Sequence, residues 1–488
     1  MAFALVYKFG YWTFLVLIYA VIAITIVILE RKRPEKTISW LLVFAVFPLI
    51  GFGVYLFFGR NWKKKKLTSN LYLDYNHSIT DKEKEKLMEA FGENIPVEYL
   101  QLITLLKKNS RSPLFSNNEV TIFKDGREKF GSFFKDIENA KESIHLEYYI
   151  VKSDETGEKL KNLLIKKAIE GVEIKFIMDK IGSGRLKKSY IQDLKKAGID
   201  VAFYTYFLSP VLKFINTQVN YRNHRKIAVI DGEIAYVGGI NIGDEYIGNS
   251  DLGYWRDLHL KVIGEAVNGL QKVFLEDYYK IKQIERKNEN PEDLKKYFKK
   301  QENIGNSLLQ IAVSGPESES SSIMQMIHKM ISIATDHIYL ASPYFIPNES
   351  IITDLKVASL SGVNVKILFP EKGDHFLVYY ASRTYLEELV KYGAEVFLYP
   401  KDRFTHSKFV SIDGTISTVG TANLDIRSMD LNYETNLLIF DKEKTQEIEK
   451  IFFDDLSIST KVSFDYFDKL PLPIKFTEAF CRIFSNLL

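Results

Sequence analysis

His224-Arg-Lys226-Ile-Ala-Val-Ile-Asp231-Gly232 and His406-Ser-Lys408-Phe-Val-Ser-Ile-Asp413-Gly414 share one pattern, H-x-K-x-x-x-x-D-G. Each copy is followed by a glycine seven and an asparagine ten residues after its aspartate: Gly238 and Asn241 in the first, Gly420 and Asn423 in the second. One copy of so short a motif is a weak signal, but two copies with the same later residues are not a chance event. Histidine and lysine stand two residues apart, so on a strand both side chains project to the same face. Four mostly apolar residues then lead to Asp-Gly, which marks a hairpin turn.

The repeat extends outward from these motifs. Residues 140–149 (AKESIHLEYY) match 334–345 (ATDHIYLASPYF), residues 171–177 (GVEIKFI) match 362–368 (GVNVKIL), and 198–201 (GIDV) match 393–396 (GAEV). The period lies near 190 residues, far too long for a solenoid and right for two duplicated domains. Each half reads strand, helix, strand, helix, strand. In the first, Leu160, Leu163, Leu164 and Ala168 fall at helical spacing behind the cap candidates Asp154 and Thr156, and Ile174 to Met178 form a buried strand after Gly171. This alternation predicts an α/β fold with a sheet covered by helices on both faces.

A face bearing an imidazole and an ammonium suits chemistry at a phosphoryl group. Lysine neutralises the non-bridging oxygens, asparagine donates amide hydrogen bonds, and histidine acts as nucleophile or general acid. Two such faces brought together make one site with two of each residue. Nothing in it demands a metal: the sequence has no H-E-x-x-H helix and no carboxylate cluster, and a single cysteine, Cys481, excludes a disulfide scaffold or a multi-cysteine zinc site.

The paired motifs resemble the HKD motifs of the phospholipase D superfamily, from about residue 112 to the C-terminus. Within it, the chain is similar to the bacterial cardiolipin synthases. Supporting features are the N-terminal hydrophobic segments around 31–40 (RKRPEKTISW), the block Tyr254-Trp-Arg-Asp257, the continuation Asn423-Leu-Asp-Ile-Arg427-Ser428 with Asn432-Tyr-Glu434, and the apolar tail ending at Leu488. The resemblance implies two duplicated αβα sandwich halves forming one active site. It also implies transfer of a phosphatidyl group from one phosphatidylglycerol to another through a phosphatidyl-histidine, with release of glycerol and no cofactor. His224 would be the nucleophile and His406 the general acid and base. Lys226, Lys408, Asn241 and Asn423 would hold the phosphate, and Asp257 and Glu434 would orient the histidines. Asp231 and Asp413 complete the six motif residues of the catalytic set, and as turn residues they would pin the strand pair.

The formal charge of +3 hides an uneven distribution. Residues 1–66 hold ten basic and two acidic groups, a net of +8, which leaves −5 on the other 422 residues. Residues 11–29 run uncharged for nineteen positions, close to the length that crosses about 30 Å of hydrocarbon. A second uncharged run, 37–59, contains Pro48, Gly51 and Gly53, so it spans with a kink or dips in as a hairpin. A cleaved signal peptide is the alternative; the first run is long for one and lacks a small-x-small site before Arg31. The expected organisation is a two-span transmembrane anchor over 1–66, a connector over 67–111, a first domain over 112–280, a linker over 281–303 and a second domain over 304–488. Six basic residues on the outer flanks against four in the loop place the catalytic part in the cytoplasm of a bacterial cell. Lys63 to Lys66 would lie against an anionic membrane surface, each contributing about 1 kcal/mol.

Two other activities fit parts of the pattern. A membrane-tethered phospholipase D would use water in place of the alcohol. A membrane-anchored nuclease would need a basic groove, which a body netting −5 argues against, so no nucleic-acid partner is expected. The remaining histidines, 77, 145, 259, 328, 337 and 375, are expected to be ordinary surface or core residues. Glu147 could face the cleft or serve as a buried hydrogen-bond partner. The tail from Pro471 reads either as an amphipathic helix resting on a membrane or as a helix closing the second domain.

Overall fold

The computed structural model describes residues 18–21, 24–25, 28–29, 34–55, 79–204, 221–284, 291–301, 304–316, 318 and 321–485. The chain divides into two units, one of residues 1–66 with 206–221 and the other of 67–205 with 222–488.

In the first unit, helices cover Pro34–Val46 and Pro48–Val54, broken at Phe47. Pro48 has no N–H to offer the preceding turn, which ends the longer helix. Phe44 and Tyr55 are buried, with ring centroids 5.3 Å apart edge to face. Among the described residues no helix is long and apolar enough to cross a membrane. Most of the uncharged run 11–29 lies outside them.

The second unit is built on one continuous sheet. Its strands in the first half are β1 (Phe115–Asp125), β2 (Ser143–Tyr148), β3 (Glu173–Asp179), β4 (Asp200–Tyr204), β5 (Lys226–Ile230), β6 (Ile234–Gly238) and β7 (Tyr254–Ile263). Those of the second half are β8 (Ser307–Ser314), β9 (His337–Ala341), β11 (Asn364–Pro370), β12 (Glu395–Tyr399), β13 (Arg403–Thr405), β14 (Phe409–Ile412), β15 (Ile416–Gly420), β17 (Glu434–Phe440) and β18 (Thr460–Val462), while β10 (Phe345–Ile346) and β16 (Leu424–Asp425) pair in parallel as a separate two-stranded sheet. The first half orders its strands β4-β3-β2-β5-β6-β7-β1, and the second follows the same order as β12-β11-β9-β14-β15-β17-β8, with β18 added outside β12. Antiparallel pairing of β1 with β8 fuses the two sheets.

Helices cover both faces, as the αβα reading requires. In the first half the helices Gly126–Asn139, Glu155–Ile169 and Lys188–Lys196 share a core with one face of the sheet, where Ala228 and Ile230 of β5 point. The alternate residues Ile227 and Val229 enter a central core that also takes Leu309, Ile311, Val419 and Leu437 of the second half and residues of the helices Ala266–Ile284 and Lys442–Ser457. The two halves therefore share a core as well as a sheet. The connector is partly absorbed into this body: helix Val97–Asn109 buries Leu102, Ile103 and Leu106 against the second half. Asp154 caps the start of its helix by accepting from Gly157 N at 3.0 Å, as the sequence indicated.

Candidate active site

Each motif histidine lies just ahead of the first strand of a hairpin, His224 two residues before β5 and His406 three before β14, instead of on the strand itself, and each is docked onto the opposite half. The backbone N–H of His224 donates to the carbonyl of Tyr433 at 3.0 Å, and that of His406 donates to the carbonyl of Arg256 at 2.7 Å. The residues after those carbonyls are Glu434 and Asp257, the first a starting residue of β17 and the second part of β7. Strand β13, just before His406, pairs in parallel with β7 from Tyr254 to Arg256. Both motif histidines thus reach across the junction to the neighbouring half's carboxylate.

His224 Nδ1 donates to Glu434 at 3.0 Å, and His406 Nδ1 donates to Asp257 Oδ2 at 2.6 Å. A carboxylate on Nδ1 keeps the proton there and leaves Nε2 with its lone pair. Lys226 Nζ donates to the carbonyl of His224 at 2.7 Å, and Lys408 Nζ donates to the carbonyl of His406 and lies 2.9 Å from its Nδ1. Each lysine is turned back beside its own histidine. The two ends feel each other electrostatically: Lys408 depresses His224, and Lys226 and His224 both depress His406.

Burial dominates the proton affinities. It lowers Lys226 to about 7, against the opposing pull of Glu434. Lys408 is lowered by burial too, with Asp257 and Glu434 opposing. Burial lowers His224, opposed by Glu434 and reinforced by Lys226, and it lowers His406 strongly, reinforced by Lys408. Burial raises Asp257 to about 7, with Lys408 and Lys226 offsetting only part of the cost. Glu434 is equally buried, yet its contacts with His224, Lys226 and the Thr421 hydroxyl outweigh burial and hold it below the usual carboxylate range. Thr421 Oγ1 donates to Glu434 at 2.5 Å and Asn432 Nδ2 at 3.2 Å. In the first half the position of Thr421 is Gly239, whose β-carbon, if it had one, would collide with Asp257 Oδ1. The two histidine–carboxylate pairs are related by the repeat but differ in support.

The motif asparagines are also unequal. Asn241 is already engaged, accepting from Ile150 N at 3.1 Å and donating to the Tyr246 hydroxyl at 2.7 Å. Asn423 is buried with its Oδ1 unpartnered among the described residues. Asp231 and Asp413 stand at the far ends of β5 and β14, away from the histidines. Asp231 accepts from the N–H groups of Lys141, Glu142 and Ser143, and Asp413 from those of Thr335, Asp336 and His337. Both have positive φ, 55° and 52°, ahead of a glycine that has it too. This moves the two aspartates out of the catalytic set and into the turns, where a short acidic side chain tolerates the left-handed conformation.

The sequence reading did not find the aromatic wall. Tyr149 meets the His224 ring edge to face at 4.8 Å, while Trp255, Tyr246, Phe404 and Tyr344 lie 5.5, 5.9, 6.1 and 6.4 Å from His406. Tyr149 and Tyr344 stood in the repeated blocks and Trp255 two residues before Asp257, while nothing in the motifs marked Tyr246 or Phe404. Glu147 takes the buried role, accepting from Asn223 Nδ2 at 2.5 Å. His145 and His259 are buried in the body, where burial lowers both, and His328 and His337 bond to Asp354 and Glu449. His375 is exposed, and His77 lies outside the described residues. Among the described residues no group of three or more His, Cys, Asp or Glu side chains is arranged to hold a metal.

The chain is similar to known proteins. The family described as "Cardiolipin synthase, PLD-like domain" matches residues 133–252 and 327–456, one segment in each half. The chain belongs to the phospholipase D-like cardiolipin synthase family. The family described as "Phospholipase_D-nuclease N-terminal" matches residues 16–60. Cardiolipin synthase of Oceanobacillus iheyensis is 41% identical over 477 residues, covering 96% of each chain. That of Listeria welshimeri is 41% identical over 471 residues, covering 95% of each. The crystal structure of phosphatidylserine synthase of Haemophilus influenzae superposes with a TM-score of 0.62 at 14% identity, covering 80% of this chain and all of that one, a likeness of fold. Membership of the cardiolipin synthase family makes the chain an enzyme of the phosphatidyltransferase type.

Proposed function

We propose that this enzyme condenses two phosphatidylglycerols into cardiolipin and glycerol at one site shared by its halves. The observation that carries the reading is the crossed pairing of His224 with Glu434 and His406 with Asp257, beside two buried lysines. Nε2 of His224 attacks phosphorus, the bond from phosphorus to the glycerol oxygen breaks, and His406 gives that oxygen its proton. His406 then takes the proton from the terminal hydroxyl of a second phosphatidylglycerol, whose oxygen displaces Nε2 from phosphorus. One phosphodiester replaces another, so the exchange needs no outside energy source.

The anionic phosphate supports the charge state that this chemistry needs. At about 4 Å and an effective dielectric of about 20, one negative charge attracts an ammonium by about 4 kcal/mol. That corresponds to about three decades of proton affinity, the same order as burial's depression of Lys226 from an ordinary 10.5 to about 7. Bound substrate thus restores charge to Lys226 and pulls Lys408 and the acid His406 in the same direction. Asn423, buried in the site, is assigned to donate its amide NH2 to the phosphate, and Asn241 holds the wall through Tyr246. The aromatic wall around His406 excludes water, which favours transfer to an alcohol over hydrolysis.

Residues 1–66, with their uncharged runs and net +8, anchor the enzyme in the bacterial cell membrane, and the catalytic body, netting −5, works on lipid at the cytoplasmic face without nucleic acid. The test is incubation of purified protein with phosphatidylglycerol as the sole lipid. Cardiolipin and glycerol in equal amounts support the reading; phosphatidic acid would establish hydrolysis instead.

A further inference from the structure

The helix Leu472–Ile483 wears its polarity inside out. A surface helix ordinarily turns charged residues to water and apolar ones to the core. Here Glu478 is buried, donated to by Arg383 Nε at 2.5 Å, and Arg482 reaches Glu388 at 2.8 Å. The exposed positions are Leu472, Pro473, Phe476, Ala479, Phe480 and Ile483, without one polar residue among them. Leu472, Phe476 and Ile483 are 81, 73 and 73% exposed, and Phe480 is 48% exposed. Phe476 stacks toward Phe480 at 6.4 Å, which meets Phe484 at 5.2 Å, so the stripe is a continuous row of side chains.

We infer that this stripe is a seat in the interfacial layer of a phospholipid bilayer, holding the rim of the active site at headgroup depth. The inference rests on the reading of the substrate as a membrane phospholipid. Its width argues against a second protein copy: four large side chains at these exposures offer about 500 Å², short of the roughly 800 Å² per partner of a stable protein interface. An apolar row of this kind, about 16 Å long at 1.5 Å per residue, suits a helix lying in the membrane plane. The seat is also tied to the chemistry. Cys481, on the inner face of the helix, packs with Ile346 and Ala381 and against Ile426, which follows the site loop of Asn423 and Asp425. Ala381 belongs to the helix Phe376–Lys391, whose leading residue Phe376 is itself exposed. Just ahead of that helix, Asp374 accepts from the hydroxyl of Tyr344, whose ring lies 6.4 Å from His406.

The experiment places an environment-sensitive fluorophore on the full-length chain at Phe476→Cys in a Cys481→Ala background, reconstituted in phosphatidylglycerol vesicles with acyl chains brominated near the headgroup. Bromine quenching of this label, with a control label at exposed Lys188→Cys unquenched, is the expected result. An unquenched Phe476→Cys label in a variant that still makes cardiolipin overturns the seat while leaving the function standing. Loss of quenching together with a dimer-sized particle in detergent would assign the stripe to a second copy and overturn it as well. A Phe476→Ser/Phe480→Ser variant gives the functional arm: cardiolipin formation from vesicles falls at least tenfold, while turnover of dispersed short-chain phosphatidylglycerol stays within twofold. Equal loss on both substrates would contradict the seat.

Discussion

Glu434 and Asp257 do the same job with different support, and their removal separates orientation from bulk. Glu434→Gln and Asp257→Asn keep the shape but let the wrong nitrogen of each histidine carry the proton. Cardiolipin formation should fall by about 10² to 10⁴ in kcat/KM with the fold intact, as measured by lipid product analysis alongside circular dichroism. The pH profile follows from two groups near neutrality. Lys226, lowered to about 7, is cationic below that value and loses its hold on phosphate above it; Asp257, raised to about 7, accepts from His406 above that value and ceases to below it. The free-enzyme profile of kcat/KM should therefore be a narrow bell centred near pH 7. Lys226→Arg, always charged, should push the descending limb upward by a unit or more in a variant with residual activity. The histidines and lysines stand in the sequence at motif spacing, and the two orienting carboxylates follow from the family resemblance. Which carboxylate serves which histidine does not, since both lie about 30 residues after a motif, and only the docking of Tyr433 on His224 and Arg256 on His406 crosses them.

At the level of elements, the motif aspartates and the glycine before Asn241 hold the strands that carry the site. Asp413 accepts three backbone N–H groups and the Thr335 hydroxyl at φ 52°. Asp413→Ala should cost about 2 to 3 kcal/mol in thermal or denaturant unfolding, with Asp413→Asn losing less, while activity per folded molecule stays close to wild type. Gly239→Ala should do the reverse. Its new methyl pushes Asp257 off His406, so activity should drop at least tenfold with little change in the unfolding midpoint. The hairpins were legible because Asp-Gly is a strong local turn signal. The unequal fates of Asn241 and Asn423 were not, because they depend on Tyr246 and Ile150, residues that the motif does not contain.

On the scale of the whole molecule, duplication builds one enzyme from two incomplete halves. Each half supplies a histidine and lysine and the carboxylate for its neighbour, so coupling should follow the crossed pairs. In double-mutant cycles on kcat/KM, His224→Ala with Glu434→Gln and His406→Ala with Asp257→Asn should be strongly non-additive. The sequence shows the two halves through their repeat. It hides their fusion, because β1 and β8 share no motif and their pairing is a long-range contact, and it hides the burial of helix Val97–Asn109, whose charged neighbours read as solvated connector. The central claim is a phosphatidyl group carried by a histidine in this shared site. Its most direct test is an alkaline quench of the wild-type enzyme during turnover of phosphatidylglycerol, followed by mass-spectrometric peptide mapping. The account predicts a phosphatidyl adduct on His224; an adduct on any other residue, or turnover with none trapped on a time scale shorter than one catalytic cycle, would contradict it.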